Sequence, residues 1–386
     1  MNNFEYYNPT RIIFGQQTIS RLNNHIPASA KVLMCYGGGS IKKNGVYDQV
    51  ITALGKRTII EFGGIEPNPD YDHLMKAIAI GRQEKIDFIL AVGGGSVIDG
   101  AKLIAVGIPY PGDDVWAIVC GGHSVKPKTA LPLGTVLTLP GTGSEMNGNS
   151  VISRHSTREK RAFASKLIFP KISILDPTTT FSLPQKQVRN GIVDAYVHVI
   201  EQYLTYLVNS PLQDRQAEGI LLTLQEIGER ALETPPNYDA RANLMWSATN
   251  ALNKLICMGV PEDWTTHSIG HELTAFYGLD HAESLAVVLP YLLWVKRDQK
   301  KVKLPQYGRR VWGLSGNDAE ISSQAIEEMS RFFNRLGMPT RLTFYDIDPD
   351  EAAKSVRERF EKRGSVFGEK KDITPGVVAQ ILRLSR

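Results

Sequence analysis

Asp87-Phe-Ile-Leu-Ala-Val-Gly-Gly-Gly-Ser-Val-Ile-Asp-Gly-Ala-Lys102 runs from an unbroken apolar stretch, through three glycines and a serine, into a segment of helical character. Asp87–Val92 reads as a buried strand, Gly93–Ser96 as a turn and Val97–Val106 as a helix. A strand that is apolar on both faces belongs to a parallel sheet covered by helices. The same order appears upstream, where Lys31-Val-Leu-Met-Cys-Tyr36 enters Gly37-Gly-Gly-Ser40. Thr58–Phe62 and Leu133–Leu139 read as further strands, and Asp70 or Asp72 caps a helix with apolar positions at Leu74, Ala77, Ile78 and Ile80. Repeated strand–turn–helix units predict an α/β domain over residues 1–184, a parallel sheet with helices on both faces.

After Pro184 the strand signals nearly vanish. Ser210-Pro211 followed by Gln213 reads as an N-cap, a proline at the first helical position and a capping-box partner. Ile321, Ala325, Ile326, Met329, Phe332, Phe333 and Leu336 recur at helical spacing until Gly337 and Pro339 end the pattern. Residues 185–386 are therefore expected to form an all-α domain.

A chain of 386 residues suits two such domains. Hydrophobic content of 42% and charged content of 22% belong to a soluble globular protein. With a net charge of +4 and no long basic block, the clusters Lys300-Lys301, Lys303 and Arg309-Arg310 read as solvated surface, and no nucleic-acid partner is expected. The three cysteines, Cys35, Cys120 and Cys257, are far apart and odd in number, which points to a reducing compartment. The start lacks the pattern of a secretion signal, and the longest apolar stretch, Leu285–Val295, is too short to span a bilayer. A cytoplasmic protein without membrane association is expected.

A glycine turn between strand and helix lets backbone N–H groups approach a phosphate at the positive helix end. Gly94, Gly95 and Ser96 fit that task, and Asp99, one turn into the helix, is placed to accept a hydrogen bond from a ribose or amide group. The turn is not the usual G-x-G-x-x-G fingerprint, so a tight turn without a ligand is the competing reading. No acid ends the Lys31–Tyr36 strand, where an NAD site commonly has one. Gly37, Gly38 and Gly39 leave room there, Ser40 offers a donor and Lys42-Lys43 add positive charge, which favours NADP over NAD. In Thr138-Leu-Pro-Gly-Thr-Gly-Ser-Glu145, the hydroxyls of Thr138, Thr142 and Ser144 are candidate donors to phosphate or ribose, and Lys160 is a candidate cation. Surface loops are also often rich in such residues.

Asp194 and His198 stand four apart and share one face of a helix, as do His267 and His271, and His281 follows ten residues later. Asp194, His198, His267 and His281 offer one carboxylate and three imidazoles, a donor set suited to zinc or iron(II). Asp194 with His198 alone would read as an ordinary helix-face pair. Tyr196, Tyr203 and Trp264 are read as core.

Gly93-Gly-Gly-Ser-x-x-Asp99-x-x-Lys102, Gly141-Thr-Gly-Ser-Glu145, Asp194-x3-His198 and His267-x3-His271-x9-His281 together resemble the iron-containing, or group III, alcohol dehydrogenases, in their aldehyde-reductase and butanol-dehydrogenase branch. The resemblance spans essentially the whole chain, including Phe62-Gly-Gly-Ile-Glu-Pro-Asn-Pro69. It implies a dinucleotide-binding domain and a helical domain with a cleft between them, metal ligation by the four residues named, and a homodimer. It places Asn68 and Asn147 with the glycine turns, Asp99 and Lys160 at the cofactor, and links His271 to proton relay, with support of a metal ligand as the rival role. Two departures stand out. Asp280-His281-Ala282 replaces the Pro-His-Gly found in many members at the last ligand, and Gly141 stands where the aldehyde-reductase branch has Ala.

The expected activity is metal- and NADPH-dependent reduction of short-chain aldehydes to alcohols, with the metal as Lewis acid. An NAD-dependent polyol dehydrogenase of the glycerol type and a dehydroquinate-synthase-like lyase are the alternatives. The lyase would need basic residues around an anionic substrate, and Asp194–Leu207 and Val260–Leu289 contain no Lys or Arg.

Overall fold

Alternate side chains of the two strands that precede the glycine turns point to opposite faces of a sheet, and both faces are apolar. Leu33, Cys35, Ile89 and Ala91 join one buried cluster with Leu74, Ile78 and Ile104. Val32, Met34, Leu90 and Val92 join another with Leu22, Val50 and Leu54. The computed structural model, which describes residues 1–121 and 125–386, therefore has the two-sided core expected of a covered parallel sheet.

Among the described residues the strands are β1 (Arg11–Phe14), β2 (Lys31–Tyr36), β3 (Thr58–Phe62), β4 (Phe88–Gly94), β5 (Leu133–Leu139), β6 (Asn149–Arg154), β7 (Glu159–Ala164) and β8 (Ile172–Leu175). Six of them pair in parallel in the order β1-β8-β5-β4-β2-β3, while β6 and β7 form an antiparallel pair. The chain leaves β2 toward β3 on one side and leaves β4 toward β5 on the other. The two GGGS turns thus flank the topological switch point, where open α/β sheets bind ligands outside the carboxyl ends of their strands. Four strands carry no clear sequence signal. β1 and β8 have only four residues each, and β6 and β7 mix polar with apolar side chains.

One compact unit comprises Tyr7–Pro184 and Pro235–Thr249, the other Met1–Tyr6, Gln185–Thr234 and Asn250–Arg386. Besides the change at residue 184, two short segments thus cross over. The first part of the Tyr238–Ala251 helix lies with the α/β unit, where Met245 enters the sheet core. The first residues lie with the helical unit, where the Asn2 N–H donates to Gly259 O at 2.9 Å. The helical unit has its own core, built around Ile269, Leu273, Val287, Val356 and Leu382.

Local expectations are met at Asp70, whose side chain accepts from the Asp72 N–H, and in the Asp318–Arg335 helix. Ser210 does precede the Pro211–Ala231 helix, but its side chain makes no capping bond. Lys300 and Lys303 are buried, not solvated. Lys300 pairs with Asp263 and Glu369 and donates to Leu204 O at 2.6 Å, and Lys303 pairs with Asp214. An ammonium can stay charged inside a helical core only when carboxylates and carbonyls replace its water. The cysteines are free, with Cys120 exposed. No helix among the described residues is long and apolar enough to cross a membrane.

Candidate metal centre and cofactor turns

The Gln185–Tyr203 helix carries Asp194 and His198 on one buried face, and the Thr265–Tyr277 helix carries His267. His281 is the first residue of the His281–Ala286 helix. That helix start is fixed by a capping box between Asp280 and Glu283, and Lys186 pairs with both carboxylates at 2.8 and 3.0 Å. Asp280, one of the two departures from the family pattern, is thus the cap that orients His281.

The Nε2 atoms of His198, His267 and His281 lie 3.6, 3.8 and 3.5 Å from a single oxygen, Asp194 Oδ1. Ligand atoms of a tetrahedral site with metal–donor bonds near 2.1 Å stand about 3.4 Å apart. The spacing therefore suits a divalent ion of zinc or iron(II) size. Asp194, His267 and His281 offer donor atoms that all lie within 4.8 Å of one another, and His198 joins through Asp194. Its ring stacks on His267 with centroids 4.7 Å apart. The chemistry fits as well, because His267 Nε2 is buried and makes no hydrogen bond among the described residues.

Glu201 is the functional residue that the sequence analysis missed. It lies seven residues after Asp194 on the same helix face and is 3% exposed. Its carboxylate accepts from the backbone N–H of Thr266 at 2.7 Å and of His267 at 3.3 Å, and it is hydrogen-bonded to His267 Nδ1. A proton on Nδ1 leaves Nε2 as the bare donor facing Asp194, the arrangement in which a carboxylate orients a metal-binding imidazole. The i, i+4, i+7 spacing of Asp194, His198 and Glu201 was the available signal. Burial pushes the His267 imidazolium down, but the neighbouring Glu201 and Asp194 carboxylates together lift it to about 9. Burial raises the Glu201 carboxyl, against the stabilising charge and hydrogen bonds of His267.

His271 lies outside the donor group, with its ring centroid 6.3 Å from that of His267 and 5.6 Å from that of His281. Tyr196 and Tyr203 are buried, as expected of core residues, whereas Trp264 lies edge-on to His267 at 5.3 Å and forms part of the site wall.

In the α/β unit, β4 ends at Gly94 and the Gly95–Gly107 helix begins at the next residue. A Cβ on Gly95 would lie 2.4 Å from the Thr142 side chain, and one on Gly94 would lie 2.9 Å from Leu139. These glycines let the loop after β5 close against the turn. Asn68, with a left-handed φ of 56°, joins the pieces. Its N–H donates to Ser96 Oγ at 3.3 Å and its Oδ1 accepts from Lys160 at 2.8 Å. Asp99 is buried and accepts from Ser144 Oγ at 2.5 Å and from the Val151 N–H at 2.9 Å. Lys102, fully buried, donates to Ser144, Asn147 and the Asn149 carbonyl, and burial lowers its ammonium to about 8 despite Asp99 and Glu145. Thr142 Oγ1 accepts from the Ser144 N–H at 3.2 Å. Thr138 stands near the end of β5 and is half-buried. Gly37, Gly38, Gly39 and Ser40 follow β2, and a Cβ on Gly38 or Gly39 would meet nothing within 4 Å.

The sequence profile of the iron-containing alcohol dehydrogenases matches residues 9–177, and that of their C-terminal region matches residues 189–385. The NADPH-dependent aldehyde reductase YqhD of Escherichia coli K12 is 51% identical over the full length of both chains. A probable NADH-dependent butanol dehydrogenase 1 of Bacillus subtilis is 42% identical, again over the full length of both. The crystal structure of E. coli K-12 YqhD superposes with a TM-score of 0.97, covering 100% of this chain and 99% of that one. With Asp194, His198, His267 and His281 gathered in the helical unit and the glycine turns at the sheet's switch point, the chain belongs to the iron-containing alcohol dehydrogenase family.

Proposed function

We propose that this chain reduces short-chain aldehydes to alcohols with NADPH, reversibly, and that Asp194, His198, His267 and His281 hold zinc or iron(II) for that reaction. The observation that carries the reading is the convergence of three imidazole Nε2 atoms on Asp194 Oδ1 at 3.5 to 3.8 Å. The NADPH-dependent aldehyde reductase that is 51% identical to this chain supports both activity and cofactor.

A divalent ion in such a donor set supplies Lewis acidity, drawing charge onto a carbonyl oxygen, and NADPH supplies the hydride. The chain's own residues do the rest. Asp194 contributes a negative charge to the donor set, and the neutral imidazoles contribute lone pairs. Glu201 keeps His267 in the tautomer with Nε2 bare. Trp264 packs against the rings of His198 and His267 and restrains them. His271 carries a proton to the oxygen that gains charge, directly or through water. On the α/β unit, Gly94, Gly95 and Ser96 bind the pyrophosphate, Gly37–Ser40 the adenosine ribose with its 2′-phosphate, and Lys160 and Asp99 position polar groups of the cofactor. The family resemblance favours a homodimer in the cytoplasm.

The test is the initial rate of NADPH oxidation with butanal, using protein loaded with zinc or with iron(II) and NADH as control. The expected result is turnover with NADPH that exceeds turnover with NADH, together with loss of both metal and activity in a folded His267→Ala variant. Absence of turnover with either cofactor and either metal would refute the reading.

A further inference from the structure

β3 lies beside β2 with Glu61 opposite Met34, so Glu61 emerges at the carboxyl edge next to the turn Gly37–Ser40. Its carboxylate is held by three donors: Tyr36 Oη at 2.8 Å, Lys42 Nζ at 2.9 Å and Tyr47 Oη at 2.5 Å. The Lys42 ammonium sits over the rings of Tyr36 and Tyr47, 5.1 and 4.7 Å from their centroids. Lys42 stands two residues beyond Ser40, which makes it the nearest cation in sequence to the open space at Gly38 and Gly39. A cation that is committed to a carboxylate and two aromatic faces is not at the disposal of a phosphate. Hydrogen bonds from Lys42 and Tyr47 keep the Glu61 carboxyl below the usual range, so it is ionised at neutral pH.

We propose that Glu61 is a specificity-determining residue, which by engaging Lys42 restrains the enzyme's preference for NADPH over NADH. The inference rests on the reading of Gly37–Ser40 as the seat of the adenosine ribose. It accounts for cofactor discrimination without an acid on β2 itself. The carboxylate comes from the neighbouring strand and acts on a 2′-phosphate through the lysine that it holds. Relatives of this chain include an NADPH-dependent and a probable NADH-dependent enzyme.

The experiment measures dissociation constants of NADPH and NADH by fluorescence titration of the metal-loaded protein, for the parent, Glu61→Gln, Lys42→Met and the double variant. Glu61→Gln removes the charge and keeps the shape. The expected result is NADPH binding tightened by roughly 3- to 10-fold at low salt, with NADH nearly unchanged. Adding Lys42→Met should cancel that gain, since the freed ammonium is its cause. A parent protein that binds NADH more tightly than NADPH would overturn the reading of the turn and this inference with it. A parent that prefers NADPH, combined with an unchanged or weakened NADPH affinity in Glu61→Gln, would overturn the role of Glu61 alone. A gain that survives in the double variant would show that the effect does not run through Lys42, which also overturns the proposal.

Discussion

Replacement of Glu201 by Gln tests the metal centre at the residue that orients a ligand without being one. The Glu201 carboxylate accepts from two backbone N–H groups and is bonded to His267 Nδ1. A glutamine has one acceptor oxygen and one amide that only donates. If the oxygen stays with the backbone N–H groups, the amide faces His267 Nδ1 and favours the tautomer with its proton on Nε2, which blocks metal binding. If it turns toward His267, two buried N–H groups lose their acceptor, at about 1–3 kcal/mol. Either outcome should weaken metal binding by about 10- to 100-fold, or roughly 1.4–2.8 kcal/mol. The pH dependence follows from the charge. In the metal-free protein Glu201 and Asp194 lift His267 to about 9, above the ordinary 6.5. The stability gained from the charged pair is then fully present below pH 6.5 and is lost as pH rises through 9. A metal must displace that proton at neutral pH. Glu201→Gln lowers this competing proton affinity, so its penalty should be smaller at pH 7 than at pH 9, where competition fades. The assay is chelator competition for zinc at both pH values, with circular dichroism to verify the fold. An affinity at pH 9 within twofold of the parent would refute the argument.

Gly38→Asp places a carboxylate where a Cβ meets nothing within 4 Å, so the fold should be kept. The NADPH-to-NADH affinity ratio should fall on the order of tenfold or more by charge repulsion, and an unchanged ratio would show that the 2′-phosphate binds elsewhere. Lys102→Met removes a fully buried ammonium that burial has lowered to about 8. The unfolded lysine keeps its proton to about 10.5, so between the two values the unfolded chain binds more protons and rising pH favours the folded parent. Urea unfolding at pH 7.5 and 9.5 should show the parent gaining on the variant by up to about 1.4 kcal/mol per pH unit above 8. An equal difference at both pH values would mean that Lys102 does not shed its proton in this window.

The elements that position the site were legible because their signals are local. An apolar run bounded by glycines forms a buried parallel strand whatever its partners, and β2, β3 and β5 follow the expected bounds residue for residue. Helical spacing likewise put Asp194 with His198, and the composition of the four donors named the class of ion. What the sequence could not show was which residues meet through space. Glu61 becomes a neighbour of Lys42 only because β3 pairs with β2, so reading the end of β2 alone found no acid. Glu201 becomes a partner of His267 only when two helices 66 residues apart are packed together. Lys300 and Lys303 read as a solvated cluster until Asp263, Glu369 and Asp214 are brought to them from other elements. Backbone preference acts over a few residues and is written in order along the chain. Compensation of a buried charge depends on groups distant in sequence, and only the packed structure sets where they stand.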